Sequence, residues 1–277
     1  MKDLKTKYGP WAIVTGASSG IGKAFSEHLA KSGINVVAVA RNKDNLVKLQ
    51  SYMESKYAVK VKTIALDLSE SNAAMRLGEL TSELDVGLLI NNAGLQNYGL
   101  FSENNAVDEL KLVTLNVSSP MQLSHIFVKR FKQRGKGGIL FTSSGFGYQG
   151  VPFFANYAAS KAYLITLAEA LNVELKPFDI DVTVISPGYT NTPMAYSAPI
   201  DWRKLRFPQQ QPELVARIGL NALGRKATVV PGLVTKFSVW VNRLMPRSWP
   251  PRLLAILIGY ARIGEYSNKD KFGTHSN

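Results

Sequence analysis

The apolar run Trp11-Ala12-Ile13-Val14 leads directly into Thr15-Gly16-Ala17-Ser18-Ser19-Gly20-Ile21-Gly22. This reads as a strand that enters a glycine-rich turn and continues into a helix. Gly16 can adopt the backbone angles of a tight turn, and Gly20 and Gly22 leave room for a phosphate and for close helix–sheet packing. The helix that follows carries Ile21, Phe25 and Leu29 on one face and stops at Gly33. Its N-terminus aims free N–H groups and a partial positive charge at whatever lies over the turn, a placement suited to a dinucleotide pyrophosphate.

The same alternation repeats along the chain. Strands are predicted at 11–15, 34–40, 59–66, 86–91, 138–142 and 180–186, with a seventh near 228–230. Helical patterns fall at 21–32, 43–56, 71–84, 105–133 and 156–175. Strands alternating with helices imply a parallel sheet covered by helices on both faces. The near-continuous apolar strands fit burial on both sides. The expected architecture is a single doubly wound α/β domain of about seven parallel strands over residues 1–232. Residues 189–223 would cover the substrate, and 233–277 would form a basic, amphipathic helical extension.

The 277 residues contain no cysteine, which excludes a disulfide framework and a cysteine nucleophile. His28, His125 and His275 lie far apart and show no metal-ligand spacing. No metal is expected. The N-terminal ten residues lack an apolar leader core, so a cytoplasmic location is expected. Residues 201–277 hold 13 Lys/Arg against four Asp/Glu, or +9 of the total +13. No nucleic-acid-binding motif accompanies that charge, and no nucleic-acid partner is expected.

In such a sheet, ligands bind beyond the carboxyl ends of the strands. Ala40 ends the second strand and Arg41 follows it, a cation where an acid would hold the ribose of NAD. This points to NADP(H) and its 2′-phosphate. Asp67 and Leu68 follow the third strand, where a carboxylate can meet an adenine amino group. Asn92, Ala93 and Gly94 follow the fourth and let backbone approach a ligand. The pattern Tyr-x-x-x-Lys occurs at Tyr52/Lys56 and at Tyr157/Lys161, so by itself it decides nothing. Position separates them: Tyr52/Lys56 lies among charged residues in the third-strand crossover, whereas Tyr157 opens the helix after strand five, behind Ser143 and Ser144.

Taken in order, these motifs resemble the short-chain dehydrogenase/reductase family from residue 11 to about 194. The resemblance implies a catalytic tetrad of Asn116, Ser144, Tyr157 and Lys161. It implies cofactor binding by Gly16, Ser18, Ser19, Gly20, Ile21, Gly22, Arg41, Asp67, Leu68, Asn92, Ala93, Gly94, Tyr157, Lys161, Pro187, Gly188, Thr190 and Thr192. It also implies that Lys161 binds the nicotinamide ribose and that Asn116 keeps a proton-relay water in place. Thr190 stands where relatives carry Val or Ile.

Hydride transfer to a ketone places negative charge on oxygen, which needs a proton donor. Tyr157 fits that role if Lys161 and the oxidised nicotinamide lower its pKa, and Ser144 can hydrogen-bond the same oxygen. The expected activity is NADP(H)-dependent oxidation and reduction of a carbonyl/alcohol pair on an apolar acyl, steroid-like or other lipid-like substrate. Tyr189, Met194, Tyr196, Trp202 and Phe207 would line its pocket, joined by Tyr98, Tyr148, Phe153 and Phe154. A non-catalytic NADP(H) sensor of the same fold is the alternative, and the completeness of the tetrad argues against it. The cluster of two tryptophans, leucines, isoleucines and arginines in 233–263 should be covered. A peripheral membrane contact, a pocket cap and a subunit contact all fit it, and a homo-oligomer is expected.

Overall fold

The computed structural model describes residues 4–205 and 207–263; His275 and the last part of the extension, 264–277, lie outside them. Seven strands form one fully parallel sheet: β1 (Trp11–Thr15), β2 (Asn35–Ala40), β3 (Val61–Ala65), β4 (Val86–Asn91), β5 (Gly137–Thr142), β6 (Ile180–Ile185) and β7 (Thr228–Val229). Their spatial order is β3-β2-β1-β4-β5-β6-β7. The order reverses at β1, which pairs with β2 on one side and β4 on the other. A crevice therefore opens beyond the ends of β1 and β4.

Alternation along each strand sends successive side chains to opposite layers. Ala12 and Val14 pack with Phe25, Leu29 and Leu46 on one face. Ile13 packs with Leu77, Phe127 and Phe131 on the other. The first face is covered by α2 (Gly20–Lys31), α3 (Lys43–Lys56) and α8 (Pro212–Ala222), and the second by α4 (Ala73–Leu80), α6 (Ser119–Arg134) and α7 (Ala155–Glu174).

The sequence-based expectation differs from the structure in three places. The first is a short helix, α1 (Leu4–Tyr8), at the charged N-terminus. It is tied to β6: the Tyr8 hydroxyl donates to Asp181, and Lys7 pairs with Asp181 at 2.6 Å and Asp179 at 3.2 Å. The second is α8, which falls in the stretch expected to cover the substrate. It buries Val215, Ala216 and Leu220 in the first core layer instead. Gly219 eases the close approach, because a Cβ there would lie 3.2 Å from Phe25 and 3.3 Å from Ile185.

The third difference is in the helix expected at 105–133. It is interrupted: α5 (Ala106–Val113) passes through a π-turn at Thr114–Ser118 before α6 resumes. Pro120 supplies a physical reason, since it has no N–H to give the carbonyl of Asn116 four residues back, and a regular α register there would lack that bond. Two further helices, α9 (Leu233–Leu244) and α10 (Trp249–Ala261), follow β7. Among the described residues, no helix is long and apolar enough to cross a membrane.

Candidate active site

The carboxyl ends of β1 to β6 surround a cavity of about 1080 Å³. At its floor the β1–β4 crevice is pinned shut. Thr15 Oγ1 accepts from the N–H groups of Asn92 (2.9 Å) and Ala93 (3.0 Å), and Asn92 Nδ2 donates to the Thr15 carbonyl (3.0 Å). Gly16 turns here at φ +66°, and a Cβ on it would lie 2.9 Å from Ala93 Cα. Gly22 is stricter, because its Cβ would fall 2.2 Å from the Gly16 carbonyl oxygen. Gly22 thus seats α2 on the turn, while Gly20, at φ +52°, faces Thr192. Ser18, Ser19 and Ile21 reach the cavity.

Most residues singled out from the sequence meet at this cavity. Arg41, Asp67, Leu68, Asn92, Ala93, Gly94, Ser144, Tyr157, Lys161, Pro187, Gly188, Thr190 and Thr192 all line it. Gly20, Gly22 and Asn116 do not, and act from behind the wall. Arg41 is exposed on the cavity edge beside Asp67. Burial pushes the Asp67 carboxyl up. Hydrogen bonds from the Ser69 hydroxyl and backbone, together with the charges of Lys111 and Arg41, outweigh it and hold the group below its ordinary value.

A dinucleotide suits these residues. The glycine turn offers a cradle that side chains would fill, an anion-seeking helix start stands above it, and a free-facing cation follows β2. The volume exceeds the roughly 300–1,000 Å³ of ordinary ligand pockets, leaving room for a second molecule beside the dinucleotide.

Tyr157 and Lys161 sit one turn apart on α7, both buried. Lys161 Nζ donates to the Thr142 carbonyl at 3.0 Å and lies 5.6 Å from the Tyr157 ring centre. Burial lowers the Lys161 ammonium to a pKa of about 8. Burial also raises the Tyr157 phenol, against a smaller lowering by the hydrogen bond with Ser144. The expected lowering of Tyr157 by Lys161 is therefore absent in the protein alone, because desolvation dominates both groups. The other pair behaves in the opposite way. Lys56 Nζ donates to the Tyr52 hydroxyl at 2.7 Å, but on the exposed surface of α3 and outside the cavity lining.

Asn116 lies fully buried in the π-turn. Its Oδ1 accepts from the Leu95 N–H (2.8 Å), and its Nδ2 donates to the Leu95 carbonyl (2.8 Å) and the Ser160 hydroxyl (3.0 Å). It clamps the segment after β4 onto α7. A Cβ on Gly94 would lie 3.2 Å from Asn116 Oδ1 and 3.3 Å from Lys161 Nζ, so the three groups converge.

The aromatic residues divide. Tyr189, Met194, Trp202 and Phe207 line the cavity. Tyr98, Phe153 and Phe154 instead pack in a third core behind Tyr157, with Phe154 edge-on to its ring at 6.4 Å. Tyr148 lies beneath Arg243, and Tyr196 is exposed. The sequence reading missed the polar Gln96 and Gln149, and Leu233, Val234, Thr235 and Val239 of α9, all of which line the cavity. Only long-range packing reveals the α9 residues: Thr235 seats against Gly188, where a Cβ would come within 2.2 Å.

A family model for short chain dehydrogenases matches residues 10–201. A 7β-hydroxysteroid dehydrogenase of Clostridium sardiniense is 32% identical over 246 residues, covering 89% of this chain and 94% of that protein. A solved 7β-hydroxysteroid dehydrogenase structure superposes with a TM-score of 0.85 at 28% identity, covering 91% of this chain and 98% of that one. A short-chain dehydrogenase from Sphingobium yanoikuyae in complex with NADPH gives a TM-score of 0.74 at 26% identity, covering 94% of this chain and all of its own. With the glycine turn, the buried Tyr157/Lys161 pair and this breadth of likeness in place, the chain belongs to the short-chain dehydrogenase/reductase family and is an oxidoreductase of CH–OH and C=O groups.

Proposed function

We propose that the protein is an NADP(H)-dependent reductase of a ketone on an apolar, steroid-like or acyl substrate. The observation that carries this reading is the meeting of Ser144, Tyr157 and Lys161 with Arg41 on the wall of one large, aromatic-lined cavity. The hydroxysteroid activity of its relative and the NADPH held by a structural neighbour support the two halves of the proposal.

Gly16, Ser18, Ser19 and Ile21 would hold the pyrophosphate at the start of α2, with Gly20 and Gly22 shaping the turn. Arg41 would pair with the 2′-phosphate, and Asp67 and Leu68 would meet the adenine. Asn92, Ala93, Gly94, Pro187, Gly188, Thr190 and Thr192 would border the nicotinamide half. When bound, the dinucleotide supplies or accepts the hydride.

The chain's own groups handle the proton. Burial keeps Tyr157 in its phenol form, the state from which it donates a proton to the developing alkoxide of a ketone. Ser144 donates a second hydrogen bond to that oxygen. Lys161, at a pKa of about 8, carries a proton at neutral pH and can release it, which suits it to restore the phenol after turnover. Asn116 holds the segment that borders Lys161 in place. Trp202, Tyr189 and α9, which line the cavity, would shield the substrate side from water.

The test is a panel of steroid ketones, 3-oxoacyl thioesters, retinoids and sugars, with oxidation of NADPH and NADH followed separately. The expected result is turnover of an apolar ketone with NADPH. A preference for NADH, or turnover confined to sugars, overturns the corresponding half of the proposal.

A further inference from the structure

Eleven of the 24 exposed large apolar side chains among the described residues fall within residues 233–263, ten of them on just two helices. Phe237, Trp240 and Leu244 recur at helical spacing along α9, with 64%, 57% and 68% of their surface exposed. Trp249, Leu253 and Ile256 do the same along α10. Soluble surfaces rarely tolerate an apolar face of that extent without a partner. The other side of the same helices borders the cavity, through Val239 and Leu254.

Charge identifies the partner. No Asp or Glu occurs from residue 214 to residue 264, whereas Lys236, Arg243, Arg247 and Arg252 are interspersed with the apolar stripes and exposed. A two-fold contact between identical copies would set these cations against one another with no acid of the segment to pair them. Residues 264–277 are mostly polar, with Tyr266 and Phe272 as their large apolar groups, a composition that offers little to cover two helices. An anionic lipid surface answers both features. Acyl chains receive the apolar stripes, headgroup phosphates meet the cations, and tryptophan is suited to the boundary between them.

We propose that α9 and α10 form a monotopic docking face for an anionic phospholipid bilayer, bringing the edge of the cavity to the lipid. Docking itself does not depend on the substrate proposed above. Delivery of an apolar substrate from the bilayer does rest on that reading.

The test is flotation of the full chain with phosphatidylcholine vesicles, with and without phosphatidylserine, alongside tryptophan emission and light scattering. The wild-type protein should float with phosphatidylserine vesicles, shift its emission to the blue, and be partly released by salt. Arg247→Gln with Arg252→Gln should lower partitioning onto phosphatidylserine vesicles roughly thirtyfold. Phe237→Ser with Trp240→Ser should abolish flotation on either vesicle. All these positions are exposed and off the cavity wall, so turnover of a water-soluble ketone should be unchanged. That control separates failure of docking from failure of the reductase reading. Wild-type protein that stays in solution with phosphatidylserine vesicles overturns the proposal. So does a lipid-free dimer that Phe237→Ser with Trp240→Ser converts to a monomer, which would assign the face to a second copy.

Discussion

Tyr157 and Lys161 are each held in the neutral direction by the burial that brings them to the cavity. In the proposed mechanism, Tyr157→Phe removes the proton donor and little volume. It should lower turnover by roughly 100- to 10,000-fold while leaving NADPH binding nearly intact, as fluorescence titration would show. Lys161 also has a stability consequence. Its native pKa of about 8 lies below the ordinary 10.5, so the unfolded chain binds the extra proton between those values. Stability should therefore rise with pH from about 8 to 10.5, until the raised Tyr157 reverses the slope at higher pH. Lys161→Met should remove that rise and stabilise the protein at pH 7 by something on the order of 3 kcal/mol, while abolishing activity. A neutral or destabilising result in a urea titration would show that the buried amine is better compensated than its single bond to Thr142 implies. At the cavity edge, Arg41→Ala should weaken NADPH binding roughly ten- to hundredfold and leave NADH unaffected, the loss of a charge-assisted pair.

At the scale of elements, the π-turn between α5 and α6 connects backbone chemistry to the site. Three hydrogen bonds of Asn116 join this turn to the segment after β4 and to α7. Asn116→Ala would leave Leu95 unpaired on both its N–H and its carbonyl. It should cost about 2–3 kcal/mol of stability and lower kcat through movement of Gly94 against Lys161, measurable by thermal unfolding and steady-state kinetics. Asn116 was named from the sequence by resemblance, but its mechanism of action was not legible there. A helix-period pattern runs unbroken through 105–133, and nothing in the pattern distinguishes a π register from an α register. The hint lay in Pro120, four residues on. The Tyr52/Lys56 pair teaches the complementary lesson: it has the better hydrogen bond and the wrong surroundings.

At the scale of the whole molecule, one cavity depends on segments from both ends of the chain. β1 and α2 build the dinucleotide side, and α9 closes the other through Val234, Thr235 and Val239. Truncation after Gly232 should keep the parallel sheet, visible in circular dichroism, because its strands and both core layers lie upstream. It should raise KM for an apolar ketone at least about tenfold by opening the wall. A truncated enzyme with unchanged KM would show that α9 contributes no binding surface.

The sequence alone determined what depends on local period and local chemistry. These are the parallel sheet, since β-branched runs and amphipathic stretches alternate, the strand–turn–helix at Gly16–Gly22, and the strand ends where the polar residues gather. Strand positions such as Ile13, buried in one layer while Ala12 and Val14 fill the other, follow from a two-residue repeat. Tertiary structure decided what depends on neighbours distant in the chain. It sent α8 into the core through Gly219 and made α9 a cavity wall through Thr235 and Gly188. It also turned Tyr98, Phe153 and Phe154 into a support behind Tyr157 rather than a substrate surface. An aromatic side chain is apolar wherever it stands in a sequence. Whether it meets a ligand, a core or a membrane is set by which distant segment packs on its other side.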